Sequence, residues 1–179
     1  MTLSTTGLPH VTLVLGGARS GKSRYAEDLV TALPAPWVYI ATAQAYDDEM
    51  RNRIAEHRTR RTEGWSTHDT AIGLASALVK APASAPVLVD CLTLWLTNLM
   101  LCNHDIGQAT AGLMQSLAKR TALTVLVSNE VGMGIVPDNA LARQFRDEAG
   151  RLNQRMAQAS SRVVFVAAGL PLVMKGSPL

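Results

Sequence analysis

The eight residues from Gly16 to Ser23 constrain the fold of this chain more than any other feature. They match the phosphate-binding pattern G-x-x-x-x-G-K-S/T at every position. Residues 11–15 before them are mostly apolar, as in a buried strand, and apolar residues recur at helical spacing after them. Because a phosphate loop connects a strand to a helix, this context predicts that the segment binds a nucleoside triphosphate. The alternative, a glycine-rich turn of no function, does not explain the flanking strand and helix.

Each part of the loop has an expected role in binding phosphate. Its glycines let the backbone curl so that successive N–H groups point at phosphate oxygens, and the N-terminus of the following helix adds a favourable dipole. Lys22 supplies a positive charge for the β- and γ-phosphates, and the Ser23 hydroxyl is an expected ligand of Mg²⁺. The predicted nucleotide-binding residues of the loop are Gly16, Gly17, Ala18, Arg19, Ser20, Gly21, Lys22 and Ser23.

The composition is typical of one globular domain. The chain has 179 residues, of which 47% are apolar and 17% are charged, enough for one substantial core and not for two. We therefore expect a single domain over residues 1–179, with residues 1–10 as a loose lead. The net charge of +3 comes from local arginine clusters, so we expect no nucleic-acid partner. Cys91 and Cys102 lie in apolar surroundings without metal-type spacing, and both are expected to be reduced core residues.

The distribution of apolar segments also bears on the cellular location of the protein. The sequence does not open with a basic region followed by an apolar segment, as a secretory signal would. The longest apolar stretch, residues 92–102, is interrupted by polar residues. We therefore expect no membrane span and a cytoplasmic protein.

Short apolar strands alternate with helical segments along most of the chain. This alternation predicts a mostly parallel sheet with helices on both faces, the α/β architecture of a single P-loop NTPase domain of the RecA-like kind. Residues from Gly169 onward are expected to form a tail. The five predicted strands are residues 11–15, 37–41, 87–90, 124–128 and 163–167, and the predicted helices include 71–80, 92–101, 108–120 and a long helix that begins after Asp138 or Asn139.

Several candidate site residues follow the predicted strands. The carboxyl ends of parallel strands face the ligand crevice, so Ala41, Thr42 and Ala43 are expected near the nucleotide. Asp90 ends another strand and is the expected second ligand of Mg²⁺, although a buried strand also ends in an acid by chance. The loop of residues 129–137, with its glycines and proline, is either shaped for ligand contact or an ordinary strand-to-helix connection.

Two further segments carry charged residues whose role stays open on spacing alone. Three acids from Asp47 to Glu49 are typical of a helix N-terminus. His57, further along, is then expected to lie near the C-terminus of that helix and to interact favourably with its dipole. The arginines within residues 58–61 are typical of a solvated face. In the long helix that follows Asn139, a polar stripe is also typical of solvation, but Gly150 in its middle predicts that something packs closely there.

On spacing alone, three classes of function stay open: a small-molecule kinase, a nucleotide-driven motor or switch, and a non-catalytic nucleotide sensor. The sequence lacks the Asn-Lys-x-Asp pattern by which switch GTPases read guanine. The chain is also too short to add a module that remodels DNA or protein.

Five blocks of the sequence resemble one enzyme family. They are residues 16–23, 39–43, 47–58, 129–137 and 143–154. The last two are highly specific, because a generic P-loop kinase has no reason to contain them. Together the blocks resemble the bifunctional adenosylcobinamide kinase / adenosylcobinamide-phosphate guanylyltransferase of cobalamin biosynthesis. The resemblance runs from about Leu13 to Lys175, nearly the whole chain.

The resemblance implies two reactions. In the first, ATP or GTP gives its γ-phosphoryl group to the aminopropanol hydroxyl of adenosylcobinamide. In the second, GTP loses pyrophosphate and its GMP passes through a histidine to the new phosphate, which gives adenosylcobinamide-GDP. The resemblance also implies Mg²⁺ as the cofactor and a homo-oligomer, which in the family is a trimer.

The resemblance also implies roles for individual residues. His57 matches the histidine that carries GMP, and Lys22 the catalytic lysine of the loop. Some relatives have two adjacent histidines here, whereas this chain has Glu56 before His57, and a carboxylate cannot form the phosphoramidate adduct. The alternative is a P-loop kinase acting on another alcohol, with His57 in a structural role. Further implied nucleotide contacts are Arg58, Thr59, Arg60, Arg61 and, by analogy, Asp69; the implied corrinoid contacts are Asn129, Glu130, Arg143 and Arg146.

Overall fold

The computed structural model describes residues 7–44, 48 and 63–177 of the chain. Its strands are β1 (Leu8–Gly16), β2 (Trp37–Ala41), β3 (Trp65–Asp69), β4 (Val87–Asp90), β5 (Thr124–Asn129), β6 (Ser160–Ala167) and β7 (Leu170–Lys175). Its helices are α1 (Lys22–Thr31), α2 (Leu74–Lys80), α3 (Leu92–Leu101), α4 (Ile106–Ala118) and α5 (Ala140–Ala159). None of these described helices combines the length and the apolar character needed to cross a membrane.

The seven described strands form one sheet in the order β3-β2-β4-β5-β1-β6-β7. All neighbouring strands are parallel except β6 and β7, which are antiparallel. β5 lies between β1 and β4, and its last residue, Asn129, is in register with Gly16 at the end of β1. Because parallel strands end at the same edge, the ends of β1, β5 and β4 lie side by side. The predicted α/β architecture with a mostly parallel sheet is confirmed.

Two apolar layers cover the sheet, one on each face. The first packs leucines of α2, α3 and α4 and part of α5 against strand residues that include Leu13, Ile40 and Val89. The second packs Ala26 and Val30 of α1 against the opposite face. Successive residues of a strand point to opposite faces, so neighbouring positions enter different layers. This is why the inner strands read as continuous apolar runs, and it confirms the prediction of helices on both faces.

The prediction of five strands is wrong at both edges of the sheet. β3 has the sequence Trp-Ser-Thr-His-Asp and four of its five residues are exposed, so it lacks the apolar run of an inner strand. The expected tail from Gly169 instead forms β7. It follows a turn in which Ala168 and Gly169 have φ of 52° and 79°. An edge strand pairs on one side only, which is also why it tolerates Pro171.

Three smaller predictions also differ from the structure. β1 begins at Leu8, within the segment expected to be a loose lead. Cys102 is exposed because it follows the last residue of α3 at the surface, whereas Cys91 is buried as expected. A Cβ built on Gly150 meets no atom within 4 Å, so nothing in the described part of the chain packs closely against it.

Candidate nucleotide-binding site

The phosphate loop, residues 16–23, connects β1 to α1 and is packed against the turn between β6 and β7. A Cβ on Gly16 would lie 2.5 Å from a carbonyl oxygen of β6, and one on Gly21 would lie 3.2 Å from the Cα of Gly169. Gly21 also has a φ of 93°, in the left-handed region that favours glycine. The N–H of Gly169 donates to the carbonyl oxygen of Ser20 at 2.8 Å. Close packing and backbone conformation therefore both explain the glycines of the motif.

The polar groups of the loop lie at the start of α1. The Nζ of Lys22 donates to the carbonyl oxygen of Gly17 at 3.2 Å, so the lysine side chain folds over the loop. Ser23 is the second residue of α1, within the turn whose N–H groups have no acceptor inside the helix. The hydroxyl oxygen of Ser20 is buried and has no hydrogen-bond partner among the described residues. This arrangement of donors is the kind that binds an anion at a helix N-terminus.

Asp90 ends β4, two strands away from the phosphate loop. The hydroxyl of Tyr39 donates to its Oδ2 at 3.1 Å, while its Oδ1 has no hydrogen-bond partner in the described part of the chain. Leu88, two residues earlier, packs in the same layer as α1, so the strand alternation directs Asp90 to the α1 side of the sheet. A carboxylate with such an oxygen at the same sheet edge as a phosphate loop fits Mg²⁺, which commonly takes one or two carboxylates and completes its shell with phosphate and water. Residues 7–44, 48 and 63–177 contain no cluster of three or more His, Cys, Asp or Glu side chains that could hold a metal ion.

The residue after Asp90 is a buried thiol. Burial, together with the neighbouring charge of Asp90, raises the pKa of Cys91 to about 11, and the charge of Lys22 acts in the opposite direction. The thiol therefore stays protonated near neutral pH. A protonated thiol is a poor nucleophile and a poor metal ligand, so Cys91 has a packing role.

Thr42 supports the end of β4 from the neighbouring strand. Its side chain is fully buried, and its Oγ1 donates to the carbonyl oxygen of Cys91 at 2.6 Å and accepts from the Cys91 N–H at 2.8 Å. The side-chain amide of Asn98 donates to the carbonyl oxygen of Thr42 at 2.8 Å. The structure thus places Thr42 at the predicted edge of the sheet, with its hydroxyl used to position the backbone that follows Asp90.

Ala41 and Asp69 lie along the same edge, further from the loop. Ala41 is in register with Asp90 on one side and with Asp69 on the other, and Ala43 follows two residues later. Asp69 ends the edge strand β3, four strands from β1 in the sheet order. At about 4.8 Å between strands, that separation is roughly 19 Å. A nucleotide whose phosphates occupy the loop must extend along the sheet edge to reach Asp69.

A polar network joins the end of β5 to α3 and α5. The Oγ1 of Thr93 accepts from the N–H of Asn129 at 2.7 Å, and the Nδ2 of Asn153 donates to the Asn129 carbonyl oxygen at 3.1 Å. The hydroxyl of Ser128 donates to the Oδ1 of Asn153 at 2.7 Å. Sequence reasoning missed Thr93 and Ser128. In the sequence, each of them is a polar residue within an otherwise apolar segment, and this is the signal that could have identified them.

The loop after β5 is tied to both the phosphate loop and α5. The N–H of Glu130 donates to the carbonyl oxygen of Gly16 at 3.1 Å. At the other end of the loop, Nη1 of Arg143 donates to the carbonyl oxygens of Pro137 and Asp138 at 2.9 and 2.7 Å. Arg146, one turn further along α5, pairs with the neighbouring Asp147 at 3.6 Å. The predicted loop is therefore held in place from both ends, with arginines along one side.

Exposed apolar side chains gather on this loop and beside it. Met133 and Ile135 are 80% and 98% exposed, and Val136 is also exposed. A groove with a cavity volume of about 260 Å³ lies between the end of α3 and the start of α5. Its walls include Leu101 and Leu141, both exposed. Neighbouring exposed apolar side chains of this kind are typical of a binding surface.

The second predicted half of the site lies outside the described residues. This applies to His57 and to its neighbours Arg58, Thr59, Arg60 and Arg61. It applies also to the helix predicted to open at Asp47, of which only Asp48 is described. The described part of the site therefore consists of the phosphate loop, Asp90 and the loop after β5, which the structure brings together at one edge of the sheet.

Comparisons with known proteins identify similar sequences over nearly the whole chain. A family model described as "Cobinamide kinase / cobinamide phosphate guanyltransferase" matches residues 12–174. The bifunctional adenosylcobalamin biosynthesis protein CobP of Pseudomonas aeruginosa is 49% identical over 170 residues, which cover 93% of this chain and 98% of that protein. The bifunctional adenosylcobalamin biosynthesis protein CobU of Salmonella typhimurium is 41% identical over 180 residues, covering 91% of this chain and 98% of that protein.

Solved structures with little sequence similarity share the fold. A protein of Pyrococcus horikoshii aligns with a TM-score of 0.57 at 8% identity, covering 97% of this chain and 90% of that one. An ATPase from a bacterial type III secretion system aligns with a TM-score of 0.56 at 11% identity, covering 92% of this chain and 56% of that one. These likenesses support the P-loop α/β fold and carry no argument about the reaction.

Proposed function

Because the chain belongs to the cobinamide kinase / cobinamide phosphate guanyltransferase family, we propose that it phosphorylates adenosylcobinamide with ATP or GTP and then transfers GMP to the product through a histidine adduct. The kinase and guanyltransferase activities of cobalamin biosynthesis are those of the family. The observation that carries the proposal is a phosphate loop with Lys22 folded over it, at the same edge of the sheet as the strand end that carries Asp90. This loop occurs in a chain that matches bifunctional relatives over more than nine-tenths of its length.

In the kinase step the chain's own residues bind and orient the triphosphate. Lys22 and the N–H groups at the start of α1 stabilise negative charge on the phosphoryl oxygens, which is most of what an enzyme contributes to phosphoryl transfer. Ser23 and Asp90 are the proposed holders of Mg²⁺, which neutralises charge on the phosphates when bound. Within the described residues, the Oδ1 of Asp90 and the hydroxyl of Ser20 have no hydrogen-bond partner, which supports a ligand at this place. Nucleotide contacts from Ala41, Thr42, Ala43 and Asp69 are part of the proposal.

In the transferase step His57 is the proposed nucleophile. Neutral imidazole is nucleophilic near pH 7, and its attack on the α-phosphorus forms an N–P bond while pyrophosphate leaves. The phosphate of the acceptor then takes GMP from the imidazole. Arg58, Arg60 and Arg61, with Thr59, are proposed to neutralise the triphosphate. The support is that His57 is the only histidine of residues 47–61, and that Glu56 cannot form such an adduct.

The acceptor is proposed to lie against the loop after β5 and the first turns of α5. Asn129, Glu130, Arg143 and Arg146 are the proposed polar contacts, and the exposed apolar side chains of residues 133–136 suit the methyl-bearing rim of a corrin ring. The groove beside them, with a volume of about 260 Å³, holds only part of so large a molecule. A neighbouring subunit of a homo-oligomer, a trimer by family resemblance, is proposed to complete the site.

Labelling with GTP that carries ³²P in its α-phosphate tests the two halves of the proposal. We expect an acid-labile, base-stable label on the protein, because a phosphoramidate has that stability. The variant His57→Ala is expected to lose the label and still convert adenosylcobinamide to its phosphate with ATP. The matched control is His104→Ala, which removes an exposed histidine from the turn between α3 and α4 and is expected to retain both activities.

Each outcome of this experiment separates the candidate functions. Label that persists in His57→Ala refutes His57 as the nucleophile. Phosphorylation of adenosylcobinamide without label or GDP product indicates a monofunctional kinase in which His57 is structural. Binding of GTP without turnover in the presence of adenosylcobinamide indicates a nucleotide sensor.

A further inference from the structure

We propose that the carboxamide of Asn129 contacts both the γ-phosphoryl group and the acceptor hydroxyl in the kinase step, because it lies at the strand end between the phosphate loop and β4 and has no hydrogen-bond partner among the described residues. The inference rests on the proposed kinase function and adds a catalytic residue to it. It also gives the proposed corrinoid contact of Asn129 a specific partner, the hydroxyl that reacts.

The strand order places Asn129 in the centre of the phosphate-binding edge. β5 lies between β1, which leads into the phosphate loop, and β4, which ends at Asp90. Asn129 is in register with Gly16, the first residue of the loop. With about 4.8 Å between neighbouring strands, the end of β5 is one strand spacing from the loop. Asp90 is in register with Val127 of β5, so the end of β4 is also one strand away, two residues before the level of Asn129. A residue in this position is within reach of a phosphate held by the loop.

The alternation of side chains along β5 directs Asn129 to the correct face. Val125 and Val127 pack in the layer that contains α1, so Asn129, two residues later, projects to that side. Ser128 projects to the opposite face, where it bonds to Asn153 of α5. The α1 side is also the side of Asp90 and of the loop's lysine. The Asn129 side chain therefore points to the same space as the groups proposed to hold the triphosphate.

The side chain of Asn129 has no hydrogen-bond partner in the described part of the chain, although its Oδ1 is buried. Leaving a buried polar atom without a partner costs about 1–3 kcal/mol, and native structures avoid it. A second buried atom without a partner, the Oγ of Ser20, lies in the adjacent loop. Two such atoms at one place indicate that a polar ligand satisfies them. A carboxamide offers one donor group and one acceptor, which matches a phosphoryl oxygen and a hydroxyl.

The backbone of Asn129 is held on both sides, so its side chain is preorganised. Its N–H donates to Thr93 of α3, and its carbonyl oxygen accepts from Asn153 of α5. Glu130, the next residue, donates to the carbonyl oxygen of Gly16. A donor that is fixed before the reaction needs no reorganisation when charge develops on the phosphoryl oxygens, and this is why such donors accelerate the step.

The reaction step that Asn129 assists is a simple displacement. The acceptor hydroxyl oxygen forms a bond to the γ-phosphorus, and the bond from that phosphorus to the β–γ bridging oxygen breaks. The nucleoside diphosphate leaves with the electron pair. The hydroxyl proton stays in its hydrogen bond to Oδ1 until the new O–P bond has formed, and then passes to a phosphoryl oxygen and to solvent. Asn129 takes up no proton: its Oδ1 accepts a hydrogen bond from the hydroxyl and orients it, and its Nδ2 donates to a phosphoryl oxygen.

The test compares Asn129→Ala with Asn129→Asp in the full-length protein. Loss of one preorganised donor lowers kcat by about 10²–10³-fold, so we expect that loss of the kinase kcat in Asn129→Ala. The KM for ATP and the labelling of the protein by GTP are expected to change by less than about threefold, because the donor acts on the transferring group. Asn129→Asp is expected to be the slower variant, since it places a negative charge against the phosphates. Asn103→Asp, the same change in the exposed turn after α3, is the control and is expected to match wild type.

The order of the two variants distinguishes catalysis from packing. Aspartate has nearly the shape of asparagine, so a purely structural role predicts that Asn129→Asp is closer to wild type than Asn129→Ala in both kcat and Tm. That order, or a kinase kcat of Asn129→Ala within about threefold of wild type, overturns the inference. Failure of the wild-type protein to phosphorylate adenosylcobinamide would instead refute the proposed function itself.

Discussion

Replacement of Arg120 by alanine is expected to destabilise the fold severely, because a buried guanidinium holds the connection between α2 and β4. Arg120 is only 4% exposed, and burial lowers its pKa. All five of its N–H donors have an acceptor. Nε donates to Oγ1 of Thr124, Nη1 to the carbonyl oxygens of Leu78 and Ala81, and Nη2 to those of Pro82 and Ala85.

The sequence of this connection explains why an arginine is needed. The carbonyl oxygen of Leu78, in the last turn of α2, would normally accept from the N–H four residues later, but that residue is Pro82 and has none. The carbonyl oxygens of Leu78, Ala81 and Ala85 have no other donor in the described part of the chain. Each buried acceptor left without a donor costs about 1–3 kcal/mol. Because such costs are not additive and the connection relaxes in part, we expect a total loss of about 3–5 kcal/mol.

Thermal unfolding measures this loss. For a domain of this size about 1 kcal/mol corresponds to 2–4 °C, so the Tm of Arg120→Ala is expected to fall by roughly 6–20 °C. Arg120→Lys keeps the charge but has three donors in a compact head group. Its Tm is expected to lie between those of wild type and Arg120→Ala. The matched control is Arg151→Ala, which removes an exposed arginine paired with Glu148 and is expected to change stability by less than about 0.5 kcal/mol. Equal Tm values for Arg120→Ala and Arg151→Ala would refute the reasoning.

Three further predictions concern other parts of the chain. Iodoacetamide at pH 8 is expected to alkylate the exposed Cys102 and not the buried Cys91, as read by mass spectrometry of the native protein. Burial raises the pKa of Cys91 from 9.0 to about 11, so the folded state favours the protonated thiol. The contribution of this thiol to the free energy of unfolding is therefore present below pH 9 and is lost as the pH rises towards 11. If the Tm of wild type falls in this window by no more than that of Cys91→Ala, the burial argument is contradicted. Arg146→Ala is expected to raise the KM for adenosylcobinamide about tenfold, the loss of one charge-assisted contact, and to leave the KM for GTP unchanged. An equal rise in both constants would exclude Arg146 from the corrinoid site.

The sequence predicts the inner part of this sheet well and its edges poorly. An inner parallel strand is covered on both faces, so β4 and β5 read as apolar runs that a local pattern detects. β3 and β7 pair on one side only, and their stability comes from a neighbouring strand rather than from burial of their own side chains. β7 also contains Pro171, and a proline in a short segment predicts from local sequence that no strand forms there. Strand pairing at an edge is decided by a partner distant in sequence, which a local pattern does not contain.

The same distinction separates the parts of the site that are predictable from those that are not. The phosphate loop is contiguous, so its pattern alone indicates its ligand. The network around Asn129 joins residues 24 and 36 positions apart, and no local spacing indicates that Thr93 and Asn153 meet there. Thr42 lies at the edge that the strand rule predicts, but the direction of its hydroxyl depends on Cys91, the residue that follows the neighbouring strand.

The groups expected to bind phosphate and the proposed acceptor surface lie on different faces of the sheet. The groups expected to bind phosphate come from three neighbouring strand ends, those of β1, β5 and β4, and pack against the α1 face. The proposed acceptor surface is built from the loop after β5 and from α5, which pack on the opposite face. Asn129 belongs to both, since its side chain projects to the first face while Asn153 of α5 holds its carbonyl oxygen from the second. If the proposed acceptor surface is correct, substitutions in residues 133–146 are expected to alter which alcohol is presented, whereas the residues expected to meet the charge on the γ-phosphoryl group are not touched by those substitutions.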